Sequence, residues 1–282
     1  MLPLLLTLAF FQDSQLEHTW KGQYGTAQAP STLHVIDWNI DRGTRFEEVA
    51  KTLENAHPDL CLLQEVDLFD QRSGNRNIAD ELAKRLQMNY SLVPSFQELS
   101  QGAGGKPAFQ GQAILTRLEI VEVRIIRFKE QSSWWKPRAF LPNVPLMQRR
   151  EGGRSALVAE LKGPHGSIVV YDVHLESRSN GKVQFAQLAE ILEDARKYPA
   201  TTPIILGGDF NTLYTGKKLL ETMQHEGYAS VFADRVVRTH KIAGHIDWIF
   251  LRGPLHAGDP SVMMSAEGSD HFPVAATIDV TP

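Results

Sequence analysis

Six short stretches of the 282-residue chain put acids, amides and histidines where apolar runs end. Asn39 and Asp41 stand two apart at the end of the run 33–40, a spacing that places both on one side of an extended strand. The run 60–63 leads directly into Gln64 and Glu65. Asp172 and His174 share one side of 169–174, and 204–211 passes through Gly207 and Gly208 to Asp209 and Asn211, again two apart. Asp247 lies inside the apolar run 246–250, and Asp270 and His271 precede the last apolar run. Each stretch alone has an ordinary structural reading, since an acid after a strand commonly caps a helix or sets a turn. Ending core strands in such groups repeatedly is costly in desolvation unless something compensates. The set is rich in carboxylate and amide oxygen, which suits hard divalent ions such as magnesium, manganese or calcium, and these commonly act on phosphate esters. The chain has no Gly-x-Ser-x-Gly elbow and no His-Glu-x-x-His helix. Its single cysteine, Cys61, excludes an intrachain disulfide and a thiolate metal cluster, and its apolar surroundings predict a small buried thiol.

The elements that must position these residues alternate β-rich runs with amphipathic segments. A strand at 33–40 is followed by a helix at 45–57, with Phe46, Val49, Ala50 and Leu53 at helical spacing, and by a short buried strand at 60–65. A second helix covers 77–86. Strands are expected at 90–93, 112–116 and 121–128, then at 155–161 and 168–174. A helix at 182–197, a strand at 203–209 and strands at 245–251 and 274–280 complete the pattern. Strand, helix and acid-terminated strand thus occur twice, a weak internal repeat that predicts two similar halves packed face to face. The glycine-rich stretch 102–106 lacks the Gly-Lys-Ser/Thr of a phosphate loop, because Pro107 follows Lys106, and reads as a surface loop. Residues 132–154 carry two tryptophans, three prolines and five basic residues without periodicity, as a long surface loop does.

The chain is long enough for one large domain, and 42% hydrophobic with 22% charged residues predicts a packed core. A net charge of -4 gives no global field for non-specific nucleic-acid binding. The apolar start of the chain has the length of a secretory core and is too short to span a bilayer, yet no basic residue precedes it. Residues 1–31 therefore read as an N-terminal extension compatible with a signal peptide, outside a domain at 32–282. Export and cytoplasmic residence both remain open. No transmembrane segment beyond that extension and no protein partner can be inferred.

The order WNI (38–40), LLQEVD (62–67), YDVHLES (171–177), ILGGDFNT (205–212), HIDWIF (245–250) and GSDHFPV (268–274) resembles the endonuclease/exonuclease/phosphatase superfamily over 32–281. The resemblance implies a four-layer α/β/β/α sandwich of the α+β class, two mixed β-sheets flanked by helices. It implies a divalent-metal-dependent hydrolase of a phosphoester, with Mg2+, Mn2+ or Ca2+ as cofactor and direct water attack on phosphorus. By position, Glu65 would be the principal metal ligand, helped by Asn39 and Asp270, with Asp41 a further contributor. Asp209 would orient or deprotonate the water, and Asn211 and His174 would donate to phosphate oxygens. His271, held by Asp247, would supply a charged donor or proton carrier. In the 132–154 loop, Trp134, Arg149 and Arg150 are candidate substrate contacts, for stacking bases and tracking phosphates or for a lipid headgroup at an interface. The reading tilts toward a nuclease-like phosphodiesterase. A phospholipid or inositol-phosphate phosphoesterase and a catalytically inactive binding member are the alternatives.

Overall fold

The computed structural model describes residues 15–281, apart from 133–135, 139, 143, 145, 146, 148 and 149. The apolar start of the chain, Trp134 and Arg149 therefore lie outside the described residues. Two β-sheets stack face to face. The first has eight strands. Its centre is β2 (Thr32–Arg42) running parallel to β3 (Leu60–Leu68), with α1 (Phe46–Ala56) between them in the chain. Helix α2 (Ile78–Leu86) leads to β4 (Asn89–Glu98) and β5 (Ala108–Thr116), and β5 pairs antiparallel with β3. The second sheet has six strands. It holds β6 (Glu119–Arg127), β8 (Ser155–Gly163) and β9 (Gly166–His174). Helix α3 (Lys182–Ala195) connects β9 to the parallel strand β10 (Ile204–Asp209), and β12 (Asp247–Arg252) pairs antiparallel with β10. The last strand, β14 (Val274–Val280), returns to the first sheet beside β2. The expected repeat is thus present as two parallel strand–helix–strand units, one in each sheet.

Period-two alternation explains the layers. Leu33, Val35, Leu60 and Leu62 face Leu157, Ile168, Val170, Ile205 and Ile249 across the interior, so both inner faces bury aliphatic rows. The opposite faces of β2 and β3, with Ile36, Trp38, Cys61 and Leu63, pack under α1 and α2. Those of β9 and β10, with Tyr171, Val173 and Leu206, pack under α3 and α4 (Gly216–His225). The result is the expected α/β/β/α sandwich with three cores. Among the described residues no helix is long and apolar enough to cross a membrane.

Several elements differ from the sequence reading. The short strand β1 (Trp20–Gly22) pairs with β4, so this part of the presumed extension belongs to the sheet. It is too short to show a period. Strand β7 (Arg150–Gly152) lies within the expected loop and adds to the edge of β4. Helix α4 was missed because only Leu219 and Met223 are buried along it. Strand β13 (Leu255–Val262) was missed because Gly258, Asp259 and Pro260 suit a turn, and this edge strand is bulged there.

The paired glycines Gly207 and Gly208 are explained by contact with the protein itself. A Cβ on Gly207 would stand 2.7 Å from Leu62 Cδ1 of the opposite sheet. At Gly208, with φ at 143°, it would stand 1.9 Å from the Val173 carbonyl oxygen. Gly208→Ala is expected to destabilise by at least about 3 kcal/mol, through overpacking and backbone strain together. Gly104→Ala, strained at φ 60° but with open space around it, should cost about 1 kcal/mol. Equal losses of the two variants in urea unfolding would refute this account of the strand contact.

Candidate active site

The polar residues continue the inner rows of the sandwich. At one end of the second sheet the aliphatic row gives way to His174, Asp209 and Asp247, which are direct neighbours because Asp209 registers with His174 on β9 and with Asp247 on β12. From the first sheet, Asn39 extends the row of Val35 and faces them. Asp209, 2% exposed, is the hub. Its Oδ2 accepts from Asn39 Nδ2 at 3.2 Å and lies 3.4 Å from His174 Nε2 and 3.8 Å from His271 Nε2. Its Oδ1 accepts the backbone N–H of Asn211 at 2.9 Å. His271 Nδ1 stands 2.8 and 3.0 Å from the two oxygens of Asp247. The Thr239 hydroxyl accepts the Ile246 and Asp247 amides, fixing the start of β12.

Glu65 reaches this group because alternation breaks. Leu60, Leu62 and Gln64 face inward, so a regular strand would turn Glu65 toward the helices. The register instead shifts between Leu63 and Val66, and Glu65 takes φ 53°. Val66 and Leu68 then pack under the helices, and Gln64 and Glu65 both face inward. Glu65 accepts from Gln110 at 3.4 Å and lies 3.6 Å from Arg42. A similar irregularity separates Asn39 from Asp41, whose φ of 43° ends the alternation expected to keep the two on one side. The Asp41 carboxylate pairs with Arg42 at 2.6 Å and is about a third exposed. Asp270 is half-exposed and lies 3.5 Å from His240 Nε2.

Beneath the site, Gln64 Nε2 donates to Asp37 at 2.8 Å and to Asp172 at 2.7 Å, bridging the two sheets. Burial pushes both carboxyls well above the usual range. Burial also raises Asp209; Asp247 adds to this, while His271 and Arg154 offset part of it. Burial works against a charged His271, but Asp247, then Asp209 and Asp270, outweigh it and lift the imidazole to about 10. His174 is driven the other way by burial and by the nearby positive charges of Arg154, His271 and Arg150, and stays neutral. Burial opposes ionisation of Glu65, yet Arg42, Arg154, Arg150 and His271 together hold it below the usual carboxylate range.

The structure therefore gathers Asn39, Glu65, His174, Asp209, Asn211, Asp247 and His271, with Asp270 and Asp41 at the edge. Asn211 Nδ2 donates to the Leu175 carbonyl at 3.0 Å, which orients the side chain and leaves its second amide hydrogen. Arg150 is bonded to Glu98 at 2.5 Å and Gln110 at 3.0 Å and so sits in a buried network beside Glu65. Sequence reasoning took one further member only as a loop cation that could track phosphates and missed another. Arg154, 4% exposed and counted only among loop cations, stands beside Glu65 and Asp209. His240 packs edge-on to His271 with ring centroids 4.5 Å apart, and it lies in an aperiodic stretch that gave no signal. Among the described residues, two groups of carboxylate and imidazole donors lie within 4.8 Å of one another: Asp209, Asp247 and His271, and His240, Asp270 and His271.

The family model described as Endonuclease/Exonuclease/phosphatase family matches residues 38–271. No curated protein sequence matches the chain. Among solved structures, an endonuclease/exonuclease/phosphatase from Beutenbergia cavernae aligns with a TM-score of 0.65 at 17% identity, over 88% of this chain and 72% of that one. A humanized D. rerio TDP2 aligns with a TM-score of 0.63 at 20% identity, over 88% and 99%. ANGEL2, a 2',3'-cyclic phosphatase solved with adenosine-2',3'-vanadate, aligns with a TM-score of 0.59 at 18% identity, over 93% and 98%. At these identities the likeness is one of fold.

The His245 ring behind Asp247 generates a pH prediction. It stacks on Trp248 with centroids 3.5 Å apart, and burial lowers its pKa from 6.5 to about 4. The unfolded chain then takes the proton first as pH falls, so this contribution is complete above about pH 6.5 and is lost toward pH 4. Its full size is roughly 3 kcal/mol. Urea unfolding across this window should show a smaller pH-dependent loss for His245→Phe than for the unmodified protein; parallel losses would contradict the assignment.

Proposed function

Because the chain belongs to the endonuclease/exonuclease/phosphatase family, whose members are phosphoester hydrolases, we propose that it cleaves a phosphodiester by direct attack of an activated water, with a divalent metal ion. The observation that carries this reading is the convergence of Asn39, His174 and His271 within 3.8 Å of one oxygen of the buried Asp209. Such a carboxylate can accept a proton, and the surrounding donors can meet negative charge developing on phosphate oxygens.

The donor set fits a hard divalent cation. Glu65 stays ionised, and Asn39 and Asp270 offer further oxygens of the kind such ions select. Glu65, Asn39 and Asp270 would hold the ion, while Asp41 holds Arg42 at their edge. When bound, the ion would polarise a phosphoryl oxygen as a Lewis acid. His271 carries its proton at neutral pH and so acts from Nε2 as a charged donor rather than a ligand, oriented by Asp247 through Nδ1.

Asp209 Oδ2 is the atom to which the attacking water loses its proton. A base of raised pKa suits that step near neutral pH, and Asn39 keeps the carboxylate aimed. His174, neutral, and Asn211 donate to non-bridging oxygens, and Arg154 adds fixed positive charge beside them. These groups are oriented before substrate arrives, so stabilising the transition state requires little reorganisation.

Hydrolysis of a soluble diester, bis(4-nitrophenyl) phosphate, with magnesium or manganese tests the reading. Glu65→Gln and His271→Ala are each expected to lose about 10²–10³ in rate. Metal-stimulated hydrolysis that survives both substitutions would overturn it.

A further inference from the structure

His240 stands at the edge of the catalytic group with no part in the water attack described above. It lies in the segment just before β12, which is stitched to the segment that carries Asp270 and His271. Gly244, at φ 77°, turns its carbonyl back to accept the amides of Thr239 and His240 at 2.8 and 3.0 Å. Across the gap, Phe272 donates to the Thr239 carbonyl at 2.7 Å and Lys241 to the Asp270 carbonyl at 2.9 Å. Backbone on both sides therefore delivers the His240 ring to Asp270 and His271, and only 13% of its side chain is exposed.

The ring is held in one tautomer. Its Nδ1 accepts two consecutive backbone N–H groups, that of Ile242 at 2.9 Å and that of Ala243 at 2.8 Å. A ring nitrogen that accepts carries no proton, so the hydrogen of the imidazole sits on Nε2. That atom faces the Asp270 carboxylate at 3.5 Å. Donor atoms of His240, Asp270 and His271 lie within 4.8 Å of one another, as the ligands of a cation would. The hydrogen bonds exclude His240 from such a set. An ion would need the Nε2 lone pair, so the proton would have to move to Nδ1, where it would point at two amide hydrogens.

Asp270 lacks a firm donor of its own. Its side chain is 57% exposed, and the hydroxyl of Ser269 beside it has a single hydrogen. That hydrogen goes to the Asn39 carbonyl at 2.7 Å in preference to Asp270 Oδ1 at 3.4 Å. The Nε2–H of His240 is then the neutral donor facing Asp270 Oδ2, and it leaves Oδ1 open to an ion. A carboxylate steadied in this way meets the ion already oriented.

We propose that His240 is a positioning residue: locked as the Nε2–H tautomer by the turn at Ile242 and Ala243, it orients Asp270 toward the divalent ion and is not itself a ligand. For the ion this rests on the phosphodiesterase reading. A partner of this kind typically accounts for about 10–100-fold in metal affinity, and a contact as long as this one belongs at the lower end.

The first readout needs no substrate. In protein isotopically labelled at its histidine ring nitrogens, the signals missing from His240→Gln identify His240. Long-range proton–nitrogen spectra should place hydrogen on Nε2 and none on Nδ1, both before and after saturation with magnesium. A proton on Nδ1 in either state would overturn the proposal. The second readout is Mn2+ binding without substrate, followed by electron paramagnetic resonance of the free ion. His240→Phe keeps a ring against His271 and removes the donor, and it should weaken binding about tenfold. His240→Gln, whose amide nitrogen reaches the place of Nε2, should restore most of that loss. In an Asp270→Ala background His240→Phe should add nothing, because a residue that acts through Asp270 then has nothing to orient. A merely structural role would keep its effect there. Binding indifferent to His240→Phe, or an equal loss in both backgrounds, would overturn the positioning role while leaving the metal reading intact. Absence of Mn2+ binding by the unmodified protein would overturn the metal reading and the role with it. Mn2+ binding with the expected dependence on His240, but no hydrolysis of the soluble diester, would support the role and overturn the water-attack reading alone.

Discussion

The carboxylate of Asp209 is held almost out of water at the end of a strand buried on both faces, and the rest of the site follows from what that requires. An isolated buried carboxylate is strongly disfavoured, so it must be met by donors or take a proton. Here polar groups converge from three directions, Asn39 as a hydrogen-bond donor and the rings of His174 and His271 at 3.4 and 3.8 Å. Asn39 arrives from the opposite sheet, His174 from the parallel neighbour β9, and His271 from the turn before β14. His271 has its own anchor. Asp247 holds His271, and the Thr239 hydroxyl holds the amides at the start of β12. The same arrangement separates the protonation states of two buried histidines, charging His271 and leaving His174 neutral.

Face-to-face packing of two sheets makes such a site inexpensive to build. The rows that bury Leu62, Ile205 and Ile249 in the interior simply change from aliphatic to polar toward one end. Position is therefore inherited from the core, whose packing fixes the facing strands. The Gln64 bridge to Asp37 and Asp172 lies where the two regimes meet and ties the sheets together just under the reactive groups. Strain appears where the regular row is insufficient. Glu65 and Asn211 adopt positive φ without being glycine, and such conformations persist only when surrounding structure over-determines them.

Much of this was legible in the chain because strand period is simple. The paired spacing Asp172/His174 follows from alternation alone, whereas Asn211 lies past the end of β10 at positive φ, and the twofold strand–helix–strand pattern anticipated one such unit in each sheet. Alternation failed where the backbone leaves it. Nothing in the residue types announces that Glu65 is turned inward by a bulge, or that Asp41 is turned onto Arg42. Short or half-exposed elements were equally opaque: β1 has no room for a period, and α4 buries two residues that a window of mixed composition hides. His240 and Arg154 enter through tertiary packing, which brings together segments far apart in the chain. Trp134 and Arg149 lie outside the described residues, whereas Arg150 is placed in a bonded network with Glu98 and Gln110.

The central claim is that Asp209 and its donors direct water straight onto phosphorus, with no intermediate bonded to the protein. The most direct measurement is the stereochemical course of hydrolysis of a phosphorothioate diester chiral at phosphorus, run in isotopically labelled water. A single in-line attack predicts inversion, with the label incorporated into the product phosphate. Retention would require two displacements through a covalent intermediate and would contradict the account.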